Sequence, residues 1–266
     1  QVKGVTLDYQ VAEDLPTIYC DAEKIGRVLT NLAVNALKFC GDPGVVRISV
    51  GPSDDGDDVI FSVHDDGHGI PQERVQQIFE RFRQLGTTSR GSCKGFGLGL
   101  AIAKELVDLN FGQIDVTSSV GQGSTFSFSV PTFEPRQLVR KYLHYLRGAT
   151  CPTKVVLLRT HSPEDRPSEY REAVEAVLNQ ILRRTDLLLP AADEEWLVAL
   201  PIGQSDLHKF RARLRQAWEE ANRNRPGGRL PELAVHCLGN WSIPQQSQLL
   251  EQAVVEQVVT EEAAYV

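Results

Sequence analysis

The sequence contains no methionine and no long apolar run. A transmembrane helix needs roughly 18 or more consecutive apolar residues, and no stretch of this chain approaches that length. No signal peptide is visible either, so we expect a soluble, cytoplasmic chain. Because it begins at Gln1 and lacks methionine, we expect a fragment of a longer protein, and that parent could be membrane-anchored.

Cysteine pairs and basic runs are also lacking. The five cysteines are widely spaced and form no C-x-x-C pair, which favours reduced thiols over disulfides or a zinc site. The net charge is −7, and no basic run is present that would neutralise a nucleic-acid backbone. We therefore expect no nucleic-acid partner.

With 266 residues the chain is long enough for two domains, and residues 1–131 are predicted to form the first. Alternating apolar residues predict two short strands within residues 5–20. From Asp21, a suitable N-cap, apolar residues recur with helical spacing as far as Ala36 and predict a helix. The further predicted elements are a hairpin of residues 45–50 and 59–64, a short helix at 73–82, a loop at 86–94 and a hairpin of 113–118 and 124–130.

A basic amphipathic stretch follows in residues 132–150. It is predicted to form a linker helix that packs on one domain, and a helix on a membrane surface is the alternative. Residues 151–266 are predicted to form a second, smaller α+β domain. Its predicted elements are a strand at 154–159, a helix at 169–184, a hairpin of 186–189 and 196–200, a helix at 206–222, a strand at 233–238 and a helix at 245–259.

Three alternating glycines, Gly95, Gly97 and Gly99, stand just before a helical run. Glycines let the backbone turn past bulky charged groups, and the helix start adds exposed N–H donors and the positive end of its dipole. The pattern therefore predicts a phosphate-binding loop. Alone it is weak evidence, because glycines also recur in loops for purely steric reasons.

Three polar residues share one face of the first long helix. Asn31, Asn35 and Lys38 stand at positions i, i+4 and i+7. Asparagine is a poor helix former, whereas its amide oxygen suits Mg²⁺ and a lysine can reach a phosphate. A solvated polar face is the alternative interpretation.

A carboxylate and two glycines follow the third predicted strand. Asp65 can accept a hydrogen bond from an exocyclic amine such as that of adenine, and Gly67 and Gly69 let a flat base approach the backbone. By themselves these residues are an ordinary turn. The neighbouring His64 and His68 are more typical of surface residues than of metal ligands.

In this order, the motifs resemble the ATP-binding catalytic domain of sensor histidine kinases, within the wider family that includes gyrase, a heat-shock chaperone and MutL. The resemblance covers residues 5–131 and rests on an N box (31–39), two glycine boxes (65–70 and 95–100), an F box (78–82) and the segment 121–126. It implies an α+β fold, a two-layer α/β sandwich of the Bergerat type, with ATP and Mg²⁺ as cofactors.

The resemblance also implies roles for individual residues. Asn35 would coordinate Mg²⁺, Asp65 would bind the adenine amine with Thr125 nearby, and the glycines of the second box would hold the phosphates below a lid. Either Arg90 or Lys94 would meet the γ-phosphate from that lid. The implied catalytic residues are Asn31, Lys38, Arg90 and Lys94, and the implied cofactor-binding residues are Asn35, Phe39, Asp65, Gly67, Gly69, Ile70, Gly95, Gly97, Leu98, Gly99, Leu100 and Thr125.

One departure from the family bears on the reaction. ATPase members carry a water-activating glutamate one turn before the Mg²⁺ asparagine, and here that position is Asn31. An amide cannot take a proton from water, so we expect the site to hold ATP for transfer rather than for hydrolysis.

The phosphoryl acceptor is missing, because no histidine precedes Asn31. The resemblance implies a dimerising histidine-phosphotransfer domain, in the same parent chain or on another chain, and the receiver domain of a response regulator as a partner. We expect a homodimeric parent and no direct membrane contact from this fragment. A nucleotide-sensing pseudokinase or an anti-sigma-type serine/threonine kinase remains an alternative.

The second domain resembles a degenerate diguanylate cyclase domain. Its hairpin reads Ala192-Asp193-Glu194-Glu195-Trp196, where that family has Gly-Gly-Asp/Glu-Glu-Phe. The first strand ends in Leu158-Arg159-Thr160-His161, where the family places a metal-binding aspartate. The resemblance therefore implies a catalytically silent, regulatory domain, with a receiver-like α/β domain as the competing fold.

Overall fold

The computed structural model describes residues 4–75, 77–81, 98–148, 154–161, 169–192, 195–223, 225 and 228–258. The chain divides into two compact units, Gln1–Glu134 and Pro135–Val266. Within the described ranges, every helix is too short or too polar to cross a bilayer. The predicted loop at 86–94, together with Gly95 and Gly97, lies outside these ranges.

The first unit is a five-stranded sheet with helices packed on one face. The strand order is β1-β2-β3-β5-β4, in which β1 and β2 run parallel and all other neighbours run antiparallel. The elements are β1 (Val5–Val11), α1 (Ala22–Phe39), β2 (Gly44–Pro52), β3 (Asp58–Asp65), α2 (Gln72–Val75), α3 (Gly99–Leu109), β4 (Ile114–Ser119) and β5 (Gly123–Pro131).

Helix α1 follows directly from its sequence. The Asp21 side chain accepts a hydrogen bond from Lys24 N at 3.0 Å and caps the first turn. The apolar residues at helical spacing, Ile25, Val28, Leu32 and Ala36, are buried in the core of the unit. The predicted helix and its N-cap are confirmed, and the residues beside this apolar stripe face the candidate site.

Two of the predicted elements are shorter in the structure. The second strand expected within residues 5–20 is reduced to a single bridge between Ile18 and Thr132. The helix expected at 73–82 ends at Val75. Beyond it, Glu80 N donates to Gln77 O at 3.1 Å, which is the i to i+3 bond of a turn and not of an α-helix.

Gly26 lies inside α1, and a Cβ atom at this position would have no other atom within 4 Å. Replacing a helical glycine by alanine removes backbone entropy from the unfolded chain. We expect Gly26→Ala to raise the free energy of unfolding of the first unit by roughly 0.5–1 kcal/mol. Urea unfolding followed by circular dichroism measures this change. A variant less stable than the unmodified protein would show that the added methyl group collides with a neighbouring residue.

The second unit places four strands in the order β7-β8-β6-β9, and all neighbours are antiparallel. Strand β8 separates β6 from β7, which is the arrangement of a split β-α-β unit. The elements are α4 (Pro135–Gly148), β6 (Lys154–His161), α5 (Glu169–Ile181), β7 (Leu187–Ala192), β8 (Glu195–Leu200), a 3₁₀ turn (Gln204–Asp206), α6 (Leu207–Asn222), β9 (Ala234–Ser242) and α7 (Ser247–Val255). The predicted order of strands and helices in this unit matches the structure.

Helix α4 falls within the second compact unit. Its apolar side chains Leu138, Tyr142 and Leu146 are almost completely buried, and Tyr142 Oη donates to Ala199 O of β8 at 3.3 Å. The sequence showed an amphipathic helix but not what covers its apolar face. Because that face lies in the core of the unit, it is not available to a membrane surface.

Candidate functional site

The polar face of α1 forms one side of the candidate site. Asn31, Asn35 and Lys38 are all half-buried on this helix. Among the residues that the structure describes, neither asparagine amide has a hydrogen-bond partner. The Lys38 ammonium lies 5.1 Å from the centroid of the Phe39 ring. The helix therefore presents two amides and a cation to whatever binds there.

Asp65 ends β3 and is the buried carboxylate of the site, with 4% of its surface exposed. Its Oδ1 accepts a hydrogen bond from Gly67 N at 2.9 Å, and within the described ranges its Oδ2 accepts none. Burial raises the pKa of Asp65, and the Gly67 hydrogen bond and the nearby His64 and His68 offset only part of this rise. A buried carboxylate oxygen of this kind can accept a hydrogen bond from an exocyclic amine.

The glycines around Asp65 are required by close backbone contacts. A Cβ atom on Gly67 would lie 2.1 Å from Phe39 O, and one on Gly69 would lie 2.0 Å from Ser119 O. Gly69 also has a φ of +68°, which side chains rarely adopt. The loop after Asp65 is therefore wedged between the end of α1 and the β4–β5 turn.

Thr125 does not lie beside Asp65. Thr125 pairs with His64 across β3 and β5, and its Oγ1 lies 2.9 Å from His64 Nδ1, whereas Asp65 pairs with Ser124. Successive residues of a strand point to opposite faces of the sheet. The side chain on the same face as Asp65 is therefore that of Ser124, and counting back from the buried Phe126 would have found it in the sequence.

Ser118 connects the β4–β5 hairpin to the loop that follows Asp65. Its Oγ accepts a hydrogen bond from Ile70 N at 2.8 Å, donates to Gly123 O at 2.8 Å and lies 3.0 Å from Ser124 Oγ. Ile70 itself is buried and belongs to the hydrophobic core. Sequence reasoning missed Ser118, because nothing local marks a contact between residues that are 48 positions apart.

Asp66 accepts hydrogen bonds from the segment that follows α1. Its two carboxylate oxygens accept hydrogen bonds from Gly41 N at 3.3 Å and from Val45 N at 2.9 Å. Asp65 and Asp66 are adjacent in sequence but differ in role: the first faces the site, and the second holds the backbone between α1 and β2. Sequence reasoning assigned a role to Asp65 and missed that of Asp66.

Helix α3 packs against α1, and Asn110 at its end accepts a hydrogen bond from Asp21 N at the start of α1. The start of α3 therefore lies toward the other end of α1, which carries Asn35 and Lys38. Helix α3 begins at Gly99 after the N-cap residue Leu98, and no side chain among the described residues caps it. Leu98, Gly99 and Leu100 are half-buried, and a Cβ atom on Gly99 would have no neighbour within 4 Å. The first N–H groups of such a helix are free to bind an anion. Gly95 and Gly97, and the lid candidates Arg90 and Lys94, lie outside the described residues.

The donor set fits Mg²⁺ bound together with a phosphate ligand. Within the described ranges no group of three or more His, Cys, Asp or Glu side chains is placed to hold a metal. Mg²⁺ in nucleotide sites usually keeps several waters, and few protein side chains bind it in addition to the substrate phosphates. One asparagine oxygen beside a phosphate-binding helix start is compatible with that pattern.

Comparison with known proteins finds a similarity for residues 20–134. They match the family model described as "Histidine kinase-, DNA gyrase B-, and HSP90-like ATPase". The circadian input-output histidine kinase CikA of Synechococcus elongatus is 42% identical over 125 residues, which are 47% of this chain and 16% of CikA. The adaptive-response sensory kinase SasA of the same organism is 37% identical over 123 residues, 46% of this chain and 31% of SasA.

Among solved structures, full-length ShkA in complex with AMPPNP is 35% identical and covers 48% of this chain and 26% of that chain, with a TM-score of 0.42. The chain thus spans less than a third of the length of CikA or SasA. The matching segment contains the N box, the first glycine box and β5. The family-model match and the likeness to CikA and SasA support the predicted ATP-binding domain of the histidine kinase type for residues 20–134.

Proposed function

We propose that the first unit is the ATP-binding catalytic core of a two-component sensor histidine kinase. The observation that carries the proposal is the buried Asp65, which lies close to the end of α1 and has one oxygen that accepts no hydrogen bond from the described residues. A carboxylate for the base, an amide for the metal and free N–H groups for phosphates are the groups that an Mg²⁺–ATP site needs.

In this proposal each described residue has one role. Asp65 accepts the adenine amine, with Ser124 on the same face of the sheet, and Phe39 lines the pocket. Asn35 supplies an oxygen to Mg²⁺, which when bound neutralises charge on the transferring phosphate. Lys38 and the first N–H groups of α3 hold the phosphates.

Asn31 makes transfer the proposed reaction rather than hydrolysis. It lies one turn before Asn35 on α1 and carries an amide where the ATPases of the family have a glutamate. An amide cannot act as a general base toward water. The site therefore retains ATP until an acceptor arrives.

The acceptor is proposed to be a histidine on a dimerising helical domain of the parent protein, in cis or in trans. The next acceptor is the receiver domain of a response regulator, and the parent is proposed to be a homodimer in the cytoplasm, where ATP is available. The identified relatives are sensor kinases by name, which supports this reaction sequence.

For the second unit we propose a degenerate, catalytically silent diguanylate cyclase-like domain with a regulatory role. Arg159 belongs to the stretch at the end of β6 where that family has a metal-binding aspartate, and its guanidinium forms an ion pair with Glu195, with Nε 3.0 Å from Glu195 Oε2. The Nη1 atom also donates to Gln257 Oε1 at 3.1 Å. An arginine held by these contacts is compatible with a domain that does not bind the catalytic metal ion of the cyclases.

The proposed function is tested in two steps. Calorimetric titration of the full chain with AMPPNP is expected to show binding that Mg²⁺ strengthens, and Asn35→Ala is expected to remove the Mg²⁺ effect. Val34→Ala changes an exposed residue of the same helix and is the matched control. Binding that Mg²⁺ leaves unchanged in the unmodified protein would contradict the assignment of Asn35.

The second step joins the chain to the acceptor segment of its parent and supplies ATP labelled at the γ-phosphate. Acid-labile, base-stable phosphate on the acceptor is the result expected of a histidine kinase. Acid-stable phosphate would identify a serine/threonine kinase of the anti-sigma type. Nucleotide binding without any transfer would identify a nucleotide-sensing module.

A further inference from the structure

His68 lies in a segment whose backbone is fixed on both sides. The close approaches at Gly67 and Gly69 hold it between Phe39 O and Ser119 O, where added Cβ atoms would lie 2.1 Å and 2.0 Å away. The backbone at His68 therefore has little room to move, and the side chain changes position only through its own torsions.

Two contacts orient the His68 imidazole. It meets the Phe39 ring edge-on, with ring centroids 5.5 Å apart and an interplanar angle of 74°. Its Nδ1 lies 2.6 Å from Gly69 O. Because a carbonyl oxygen only accepts hydrogen bonds, Nδ1 is the donor in this contact.

Phe39 and Asp65 both lie close to Gly67, the residue that precedes His68. Phe39 is 44% exposed although it is a large apolar residue. The position that a Cβ atom of Gly67 would take lies 2.1 Å from Phe39 O and 2.6 Å from Asp65 Oδ1. The Asp65 carboxylate thus lies close to the backbone of Phe39, and the ring of Phe39 is in turn the neighbour of the His68 ring.

We propose that His68 is a nucleoside-binding residue, whose ring packs with Phe39 against the purine or ribose of the ligand that Asp65 binds. The proposal rests on the nucleotide site proposed above and adds a residue that contacts the nucleoside part and not the phosphates. An aromatic contact of this kind changes an affinity by roughly threefold to tenfold.

The test is a calorimetric titration of the full chain with ADP and with Mg²⁺–AMPPNP. His68→Ala is expected to raise the Kd for both ligands by the same factor, about three to ten, because both carry the same nucleoside. His68→Phe keeps an aromatic ring and is expected to bind both ligands within about twofold of the unmodified protein. Melting followed by circular dichroism verifies that the variants fold.

His64→Ala is the matched control. His64 is the neighbouring histidine, but it lies on the other face of β3 and contacts Thr125, so its removal is expected to leave both Kd values unchanged. The inference is overturned if His68→Ala binds normally, if its loss is confined to the triphosphate, or if His68→Phe binds as weakly as His68→Ala. Failure of the unmodified protein to bind either nucleotide overturns the proposed function, and this inference with it.

Discussion

Asp65→Asn is expected to weaken binding of adenine nucleotides by about 10- to 100-fold. Asp65 Oδ1 accepts a hydrogen bond from Gly67 N, so the amide oxygen of the variant would keep that position. The amide NH₂ then takes the place of Oδ2 and faces the adenine amine, donor against donor. Calorimetric titration with ADP measures the loss without involving the γ-phosphate.

The same substitution is expected to make the ligand-free protein more stable at neutral pH. Burial raises the pKa of Asp65 above its ordinary value of 3.8. A carboxyl group with a raised pKa binds its proton more tightly in the folded state, so the unmodified protein loses stability as the pH rises through the interval between the unfolded and folded pKa values. Asp65→Asn does not titrate there, and its advantage in melting temperature should grow across that interval and then stay constant.

Asp66→Ala provides the matched control, because it removes the adjacent carboxylate. Asp66 accepts hydrogen bonds from Gly41 N and Val45 N, so its loss is expected to lower the melting temperature while nucleotide binding persists below it. If Asp66→Ala lost nucleotide binding at unchanged stability, Asp66 and not Asp65 would be the binding residue. Normal binding by Asp65→Asn would contradict the role given to Asp65.

The sequence was sufficient to predict those elements whose structure follows directly from a repeating pattern of residues. Asn31, Asn35 and Lys38 share a face because a helix has a fixed period, and the apolar residues of α1 showed where that helix lies. The hairpin of β2 and β3 follows in the same way from alternation and a turn-forming loop. These features depend only on neighbouring residues.

The sequence was insufficient where a contact joins distant segments. Ser118 and Asp66 act through hydrogen bonds to backbone N–H groups that lie 21 to 48 positions away, and no local pattern marks them. Thr125 was chosen by its place in a motif, although strand alternation turns it away from Asp65. The apolar face of α4 was evident, but the surface that buries it is made only when the second unit folds.

Gly67 was singled out by a local sequence pattern, but the contact that requires a glycine there joins distant segments. Of the substitutions proposed for the first unit, its replacement is expected to lower the free energy of unfolding most. The glycine was predicted to admit a base, yet in the structure its Cα faces protein backbone: a Cβ atom would lie 2.1 Å from Phe39 O and 2.8 Å from Phe39 C. Gly67→Ala must push the end of α1 away from Asp65. We expect it to lower the free energy of unfolding of the first unit by about 2–4 kcal/mol.

The distribution of tryptophan lets this effect be assigned to one unit. All three tryptophans, Trp196, Trp218 and Trp241, lie in the second unit. In urea unfolding of the full chain, Gly67→Ala is expected to shift the transition seen by far-ultraviolet circular dichroism and to leave the transition seen by tryptophan fluorescence in place. A shift in fluorescence alone would contradict the assignment.

Gly51→Ala is the matched control, because a Cβ atom on Gly51 of β2 would have no neighbour within 4 Å. It is expected to change the unfolding free energy by less than about 1 kcal/mol. If Gly67→Ala is no less stable than Gly51→Ala, the backbone contact between Gly67 and Phe39 O is not rigid. If instead it is destabilised and also fails to bind ADP under conditions where it is folded, the contact that holds the loop in place also keeps Asp65 and Phe39 in position for the nucleotide.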